Sequence, residues 1–127
     1  MDHSPGFLKL VSAILDRVHE ISTTDLLSWQ RDGKTFVLVD VREESEWAAG
    51  HLPGAIHLGR GILERDIEKA IPDPNACLVL YCGGGYRSAL SAESLQKMGY
   101  TQVHSLAGGF RRWTEEEQRV IVPSPKV

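Results

Sequence analysis

The segment CGGGYR, residues 82–87, combines a cysteine, three glycines and an arginine at a spacing suited to nucleophilic chemistry. Glycines let successive backbone N–H groups crowd together, and such groups turned inward form an anion-binding nest. A helix predicted to begin near Tyr86 adds the partial positive charge of its N-terminus. Because this cradle favours the thiolate, the nucleophilic form of cysteine, the sequence predicts a reactive centre at Cys82.

Arg87 falls in the first turn of that predicted helix, where the helix dipole disfavours a cation. We therefore expect a compensating negative group beside it. The candidates are a carboxylate near the end of a neighbouring strand, which would be Asp40, Glu43 or Glu44, or a bound anion.

The two cysteines, Cys77 and Cys82, stand at opposite ends of one predicted strand. Since a strand advances about 3.3 Å per residue, they are too far apart to form a disulfide. Cys77 has none of the surroundings of Cys82 and is interpreted as structural. Two free thiols suit a reducing compartment, so we expect a cytoplasmic protein.

Length and composition predict one compact domain with one core. The chain has 127 residues, is 42% hydrophobic and carries a formal net charge of −3, which gives no reason to expect a nucleic-acid partner. No apolar run approaches the roughly 20 residues of a membrane span. Lys9 and Asp16 interrupt the N-terminal apolar stretch, which therefore does not resemble a signal peptide.

Strands are predicted to alternate with helices along the chain. The predicted strands are 19–21, 36–41, 55–58, 77–82 and 103–106, and the main predicted helices are 43–49, 62–71 and 86–98. The runs 36–41 and 77–82 are almost unbroken apolar segments, typical of strands buried on both faces of a parallel sheet. The fold class is therefore α/β, an open and mostly parallel sheet with helices on both faces.

Ligands of such sheets bind beyond the carboxyl ends of the strands, where Cys82 and the corner formed by Asp40 and Arg42 both fall. The predicted organisation is an amphipathic helix in residues 1–18, a domain in 19–120 and a flexible tail in 121–127. The N-terminal helix either packs on the domain or forms a surface for a dimer or another partner. His51 and His57 have no third ligand nearby in sequence and are not expected to bind a metal; His51 is expected to bond to backbone in its turn.

Three segments, taken together and in this order, resemble the rhodanese family over residues 20–117. They are LVDVREESEWAAGHLPGAIHL, LVLYCGGGYRSALSAESLQKMGY and VHSLAGGFRRW. The resemblance implies a five-stranded parallel sheet and makes Cys82 the persulfide-forming nucleophile. The positions that match the family's pattern are Gly85, Arg87 and Ser88 in the loop, Asp40 and Arg42 in the corner, His51 and Gly54 in a turn, and Gly108, Gly109 and Trp113 near the end.

Rhodaneses take a sulfane sulfur from a donor such as thiosulfate, hold it on cysteine and pass it to cyanide or a thiol. The resemblance implies a sulfurtransferase that needs no metal or organic cofactor. The residues expected to bind the transferred sulfur are Gly83, Gly84, Gly85, Tyr86 and Arg87, and the supporting residues are Asp40, Arg42 and Ser88. A second function stays open, since some rhodanese-like domains are binding or regulatory modules, or relay a persulfide to another protein.

The loop holds four residues between Cys82 and Arg87, whereas the related dual-specificity phosphatases of this fold hold five. A tighter loop suits one extra sulfur atom, so sulfur transfer is favoured over phosphoryl transfer. Many sulfurtransferases carry a basic or polar side chain straight after the cysteine, but this chain has Gly83 and Gly84 there. This weakens the case for thiosulfate and leaves a protein persulfide as a donor; Arg111 and Arg112 either add positive charge near the loop or are solvated.

Overall fold

The computed structural model describes residues 3–123, which form alternating helices and strands. Residues 124–127, most of the predicted tail, and residues 1 and 2 of the predicted first helix lie outside the described residues. The elements are α1 (Pro5–Ser12), a 3₁₀ turn (Leu15–Arg17), β1 (His19–Ile21), α2 (Thr23–Arg31), β2 (Val37–Asp40), α3 (Glu44–Ala49), β3 (Ile56–His57), α4 (Arg60–Ala70), β4 (Cys77–Tyr81), α5 (Tyr86–Lys97), β5 (Gln102–Leu106) and α6 (Gly109–Glu115).

The strands form one five-stranded parallel sheet in the order β1-β5-β4-β2-β3. This confirms the predicted fold class. Asp40 at the end of β2 lies opposite Tyr81 at the end of β4. Cys82 and the Asp40 corner therefore leave the sheet side by side, at the edge where ligands of open α/β sheets bind.

Side chains of β4 alternate between two apolar layers, one on each face of the sheet. Leu78, Leu80 and Cys82 face the layer that includes α1, α4 and α5, whereas Val79 and Tyr81 face the layer that includes α2 and α6. This period of two is the geometry of a strand covered on both faces. It also directs Cys82 toward the start of α5 on its own face.

The N-terminal helix packs on the domain. The Ser4 hydroxyl caps it and Pro5 occupies its first turn, as favoured at helix N-termini. Val11 is buried against the core, and Arg17 forms a 2.7 Å ion pair with Glu93 of α5. A continuous helix to residue 18 was expected, but α1 ends at Ser12 because the chain has to turn into β1.

The end of the described chain also contacts the domain. Ile121, where the predicted tail begins, exchanges two backbone hydrogen bonds with His51, at 2.8 and 2.9 Å. Among residues 3–123, no helix has both the length and the apolar character required to cross a membrane.

Candidate active site

Cys82 lies at the floor of a loop that donates hydrogen bonds to its sulfur. The Gly85 N–H donates to Sγ at 3.1 Å and the Ser88 N–H at 3.3 Å. The side chain is only 1% exposed. Donors of this kind stabilise negative charge on sulfur.

The loop closes around the sulfur because Gly85 adopts a left-handed conformation, with φ of 101°. A Cβ atom at this position would lie 3.2 Å from the Gly108 nitrogen and 3.4 Å from the Leu106 carbonyl oxygen. Both the backbone conformation and the space therefore favour glycine.

A second loop, between β5 and α6, supports the first. The Phe110 N–H donates to the Cys82 carbonyl at 2.8 Å, and the Arg111 N–H donates to the Gly83 carbonyl at 2.9 Å. Gly109 lies so close to this backbone that a Cβ atom there would collide with the Cys82 carbonyl oxygen. The Gly108-Gly109 pair noted in the sequence thus holds the two loops together.

Four N–H groups around the sulfur remain available to a bound group. Those of Gly83, Gly84, Tyr86 and Arg87 donate to no acceptor within residues 3–123. Together with the N-terminus of α5, they leave a partial positive potential beside Sγ. These N–H groups are therefore free to donate to a sulfur atom added to Cys82 or to a bound anion.

Two buried hydroxyl groups lie beneath the sulfur. The Ser88 Oγ is 3.5 Å from the Cys82 Sγ and 2.8 Å from the Ser105 Oγ. The Ser88 hydroxyl also donates to the Gly85 carbonyl at 3.2 Å. Sequence reasoning missed Ser105; its only signal is a small polar residue between His104 and Leu106 near the end of a strand.

Arg87 is compensated by Glu46, so the prediction of Asp40, Glu43 or Glu44 was wrong. The guanidinium forms two hydrogen bonds with the Glu46 carboxylate, at 2.8 and 3.0 Å. Glu43 instead caps α3, and Glu46 is held by the Glu43 N–H at 3.0 Å. The bonds from Arg87 lower the pKa of Glu46 and raise the pKa of Arg87.

Asp40 is already paired with Arg42, which explains why it is not the partner of Arg87. Both side chains are buried, and the guanidinium donates from Nε and Nη2 to the carboxylate, at 2.8 to 3.1 Å. Burial acts to lower the pKa of Arg42, but the bonds and charge of Asp40 raise it on balance. The same guanidinium lies 4.1 Å from the Phe110 ring centroid, so the corner braces the second loop.

A cleft of about 820 Å³ opens in front of Cys82. Arg111 lines it, whereas Arg112 pairs with Glu116 and lines a separate, smaller pocket. Arg60, which no sequence pattern identified, also lines the cleft. The full lining is His3, Phe7, Arg42, Glu46, Arg60, Cys82, Gly83, Gly84, Tyr86, Arg87, Phe110, Arg111 and Thr114.

The ring nitrogens of His51 and His57 each lie close to a backbone carbonyl oxygen. His51 Nδ1 lies 2.9 Å from the Leu52 carbonyl oxygen, as expected for its turn, and His57 Nε2 lies 2.8 Å from the Arg42 carbonyl oxygen. Both rings stack on Trp47. Across the part of the chain that the structure describes, no three potential metal ligands come together.

Comparison with known proteins places this geometry in a family. The profile of the rhodanese-like domain matches residues 22–116. The probable adenylyltransferase/sulfurtransferase MoeZ of Mycobacterium tuberculosis is 30% identical over 102 residues, which are 80% of this chain and 26% of that protein. This chain therefore spans about a quarter of the length of that relative.

Two solved structures have the same fold at comparable identity. A protein of unknown function from Rhodopseudomonas palustris, described as a possible tyrosine phosphatase, is 29% identical with a TM-score of 0.81, over 95% of this chain and 98% of that one. The human single-domain sulfurtransferase is also 29% identical, with a TM-score of 0.69, over 78% of this chain and 97% of that one.

Proposed function

We propose, from the premise that this chain belongs to the rhodanese-like domain family, that it is a sulfurtransferase that carries sulfane sulfur as a persulfide on Cys82. The observation that carries the proposal is the loop geometry. Two N–H groups donate to the Cys82 sulfur, and four more in the same loop, residues 83–87, have no acceptor within residues 3–123. This is the donor set that a second, negatively charged sulfur atom requires.

The reaction has two steps. In the first, the Cys82 thiolate attacks the outer sulfur of a donor such as thiosulfate, a bond forms between the two sulfurs, and sulfite leaves with the electron pair of the broken bond. In the second, cyanide or an acceptor thiolate attacks the terminal sulfur of the persulfide, and the Cys82 thiolate leaves. No net oxidation occurs and no cofactor takes part in either step.

The roles of the other residues follow from their contacts. Gly83, Gly84, Tyr86 and Arg87 supply the backbone donors for the persulfide, and Ser88 contacts the sulfur from below. Asp40 fixes Arg42, which lies against Phe110 and so braces the loop that bonds to the Cys82 carbonyl. The free thiols of Cys77 and Cys82 fit the cytoplasmic location expected from the sequence.

Phosphoryl transfer is the nearest alternative chemistry, given the possible phosphatase among the structural neighbours. The loop holds four residues before Arg87 rather than five. The guanidinium of Arg87 is also bound by Glu46 through two hydrogen bonds. A phosphate dianion in this loop would have to compete with that carboxylate for the arginine, which favours sulfur transfer.

A persulfide relay or regulatory module is the second candidate function. The mycobacterial relative is named as a sulfurtransferase in which the matched segment covers 26% of the chain. The cleft before Cys82 has room for more than a small inorganic donor. In a persulfide relay, a second protein supplies or receives the sulfur.

The test is thiosulfate:cyanide sulfurtransferase activity of wild type, Cys82→Ser and the matched control Cys77→Ser, with intact mass recorded after donor treatment. We expect turnover and an adduct of about 32 Da, one sulfur atom, in wild type and Cys77→Ser only. An adduct with little turnover would favour the relay. Sulfur transfer by Cys82→Ser would refute the mechanism, and hydrolysis of an aryl phosphate would favour the phosphatase.

A further inference from the structure

The N-terminal segment forms one wall of the candidate active-site cleft. Phe7 of α1 and His3 before it both line the cleft. Their rings lie against Tyr86, at centroid distances of 6.2 Å for Phe7 and 4.8 Å for His3. These distances are typical of packed aromatic pairs, so the aromatic wall continues from the loop onto the added helix.

This wall is anchored to the domain. Val11, one turn beyond Phe7, is 2% exposed, and the Arg17–Glu93 ion pair ties the following turn to α5. Phe7 and His3 precede residue 22, where the match to the family profile begins. The aromatic wall therefore combines the family's loop with a segment outside the matched domain.

The charged residues that line the rest of the cleft include more cations than acids. Of its charged lining residues, Arg42, Arg60, Arg87 and Arg111 are cations and Glu46 is the acid. Arg60 has no ion-pair partner within residues 3–123, whereas the other cations are paired. Among the described lining residues, Arg60 is therefore the arginine that no carboxylate offsets, and its charge favours an anionic ligand.

Size separates the possible anions. The cleft of about 820 Å³ lies in the range of roughly 300–1,000 Å³ that holds organic ligands. A small inorganic anion bound at the loop would be too small to contact the rings of Phe7 and His3 as well. An anion with an apolar, flat body would fill the space between Cys82 and this aromatic wall.

We propose that the aromatic wall of His3, Phe7 and Tyr86 makes this site selective for an organic sulfane-sulfur donor with a flat apolar body and an anionic sulfur-bearing group. Phe7 is the specificity-determining residue of that wall. The inference rests on the proposed sulfurtransferase function and names the class of donor it uses.

The chemistry is that of the proposed function with a different leaving group. For a thiosulfonate donor, the Cys82 thiolate attacks the outer sulfur, and the bond between that sulfur and the sulfonyl sulfur breaks. The sulfinate leaves with the electron pair, and the persulfide anion remains on Cys82. Two negative charges stand on each side of this step, so no oxidant or reductant is needed.

The experiment compares benzenethiosulfonate with thiosulfate as donors and cyanide as acceptor. For wild type, we expect kcat/KM to be about tenfold or more higher with benzenethiosulfonate, since ring contacts act on that donor alone. Phe7→Ala should lower that value about tenfold and leave the thiosulfate value within about twofold. Phe7→Leu keeps an apolar side chain on α1, so its kcat/KM with benzenethiosulfonate should lie between the values of wild type and Phe7→Ala.

Leu10→Ala is the matched control, because Leu10 lies on the same helix but is 52% exposed and does not line the cleft. Leu10→Ala should leave kcat/KM unchanged for both donors, and thermal melts should show that each variant is folded. An equal loss of kcat/KM for both donors in Phe7→Leu, or no preference for the aryl donor in wild type, would overturn this inference but not the proposed function. Transfer from neither donor would overturn the proposed function, and the inference with it.

Discussion

The ion pair between Arg87 and Glu46 should stabilise the Cys82 loop, residues 82–87, in a pH-dependent way. Arg87 is at the N-terminus of α5 and Glu46 is in the first turn of α3, so the pair joins α3 to the helix that follows the Cys82 loop. The two hydrogen bonds are 2.8 and 3.0 Å long, and the side chains are 30% and 35% exposed. Glu46→Gln retains the shape of the side chain and removes its charge.

The expected magnitude follows from this geometry. Exposed ion pairs contribute about 0.2–1 kcal/mol, and a partly buried pair with two charge-assisted bonds belongs at the upper end. The substitution also leaves Arg87 as an uncompensated cation at a helix N-terminus, which costs about 0.3–1 kcal/mol. We therefore expect the free energy of unfolding to fall by about 1–2 kcal/mol at pH 7, with a melting temperature lower by about 4–8 °C.

The sign of the pH dependence is set by the lowered pKa of Glu46, which the bonds from Arg87 cause. A carboxyl group with a lowered pKa in the folded state contributes stability above its unfolded pKa, here near its ordinary value of 4.5. That contribution is lost as the pH falls through the folded pKa. The difference between wild type and Glu46→Gln should therefore be full at pH 7 and shrink steadily below about pH 4.5.

Urea unfolding of wild type, Glu46→Gln, Arg87→Met and the double variant gives the coupling energy of the pair. Glu44→Gln is the matched control, because Glu44 is also in the first turn of α3 but forms no ion pair within residues 3–123. A coupling energy near zero at pH 7, or one that stays the same at pH 3.5, would refute this reasoning.

Three further substitutions test the loop itself. Ser105→Ala removes the buried hydroxyl bond to Ser88, so it should cost about 1 kcal/mol in urea unfolding and slow alkylation of Cys82 by iodoacetamide. Ser91→Ala, whose buried hydroxyl has no partner within residues 3–123, should do neither. Gly84→Lys adds a cation at a position where a Cβ atom meets nothing within 4 Å, so kcat/KM for thiosulfate should rise about threefold or more. An unchanged value would contradict the view that the lack of a basic side chain after Cys82 weakens the use of thiosulfate. Gly85→Ala strains a φ of 101° and should cost about 1–3 kcal/mol in urea unfolding and abolish the sulfur adduct, whereas a fully active variant would show that the loop tolerates another conformation.

The sheet and the conformation of the Cys82 loop were predictable because the forces that specify them act over short stretches of chain. Apolar runs such as 77–82 can only be covered on both faces, and their alternation with helices indicated a parallel sheet. The bonds from Gly85 and Ser88 to Cys82 span at most six residues. Local spacing and glycine conformation therefore determine this part of the site.

The surroundings of the loop were decided by tertiary structure. A carboxylate was expected beside Arg87, but the three that were named, Asp40, Glu43 and Glu44, were wrong. The partner is Glu46 in the first turn of α3, and Asp40 is paired with Arg42. Likewise, Arg111 and Arg112 are adjacent in sequence, but only Arg111 lines the cleft. Neighbours on one helix point in different directions, so their roles depend on how α3 and α6 are rotated against the sheet.

The sequence by itself determined a parallel α/β sheet with a cysteine and three glycines at the end of β4, and it predicted that this cysteine is reactive. Only the tertiary structure placed Ser105 beneath that loop and Phe7 in front of it. Ser105 is 23 residues beyond Cys82 in sequence and Phe7 is 75 residues before it. Contacts over such separations follow from the order of strands and the packing of whole helices, which the pattern of neighbouring residues does not encode.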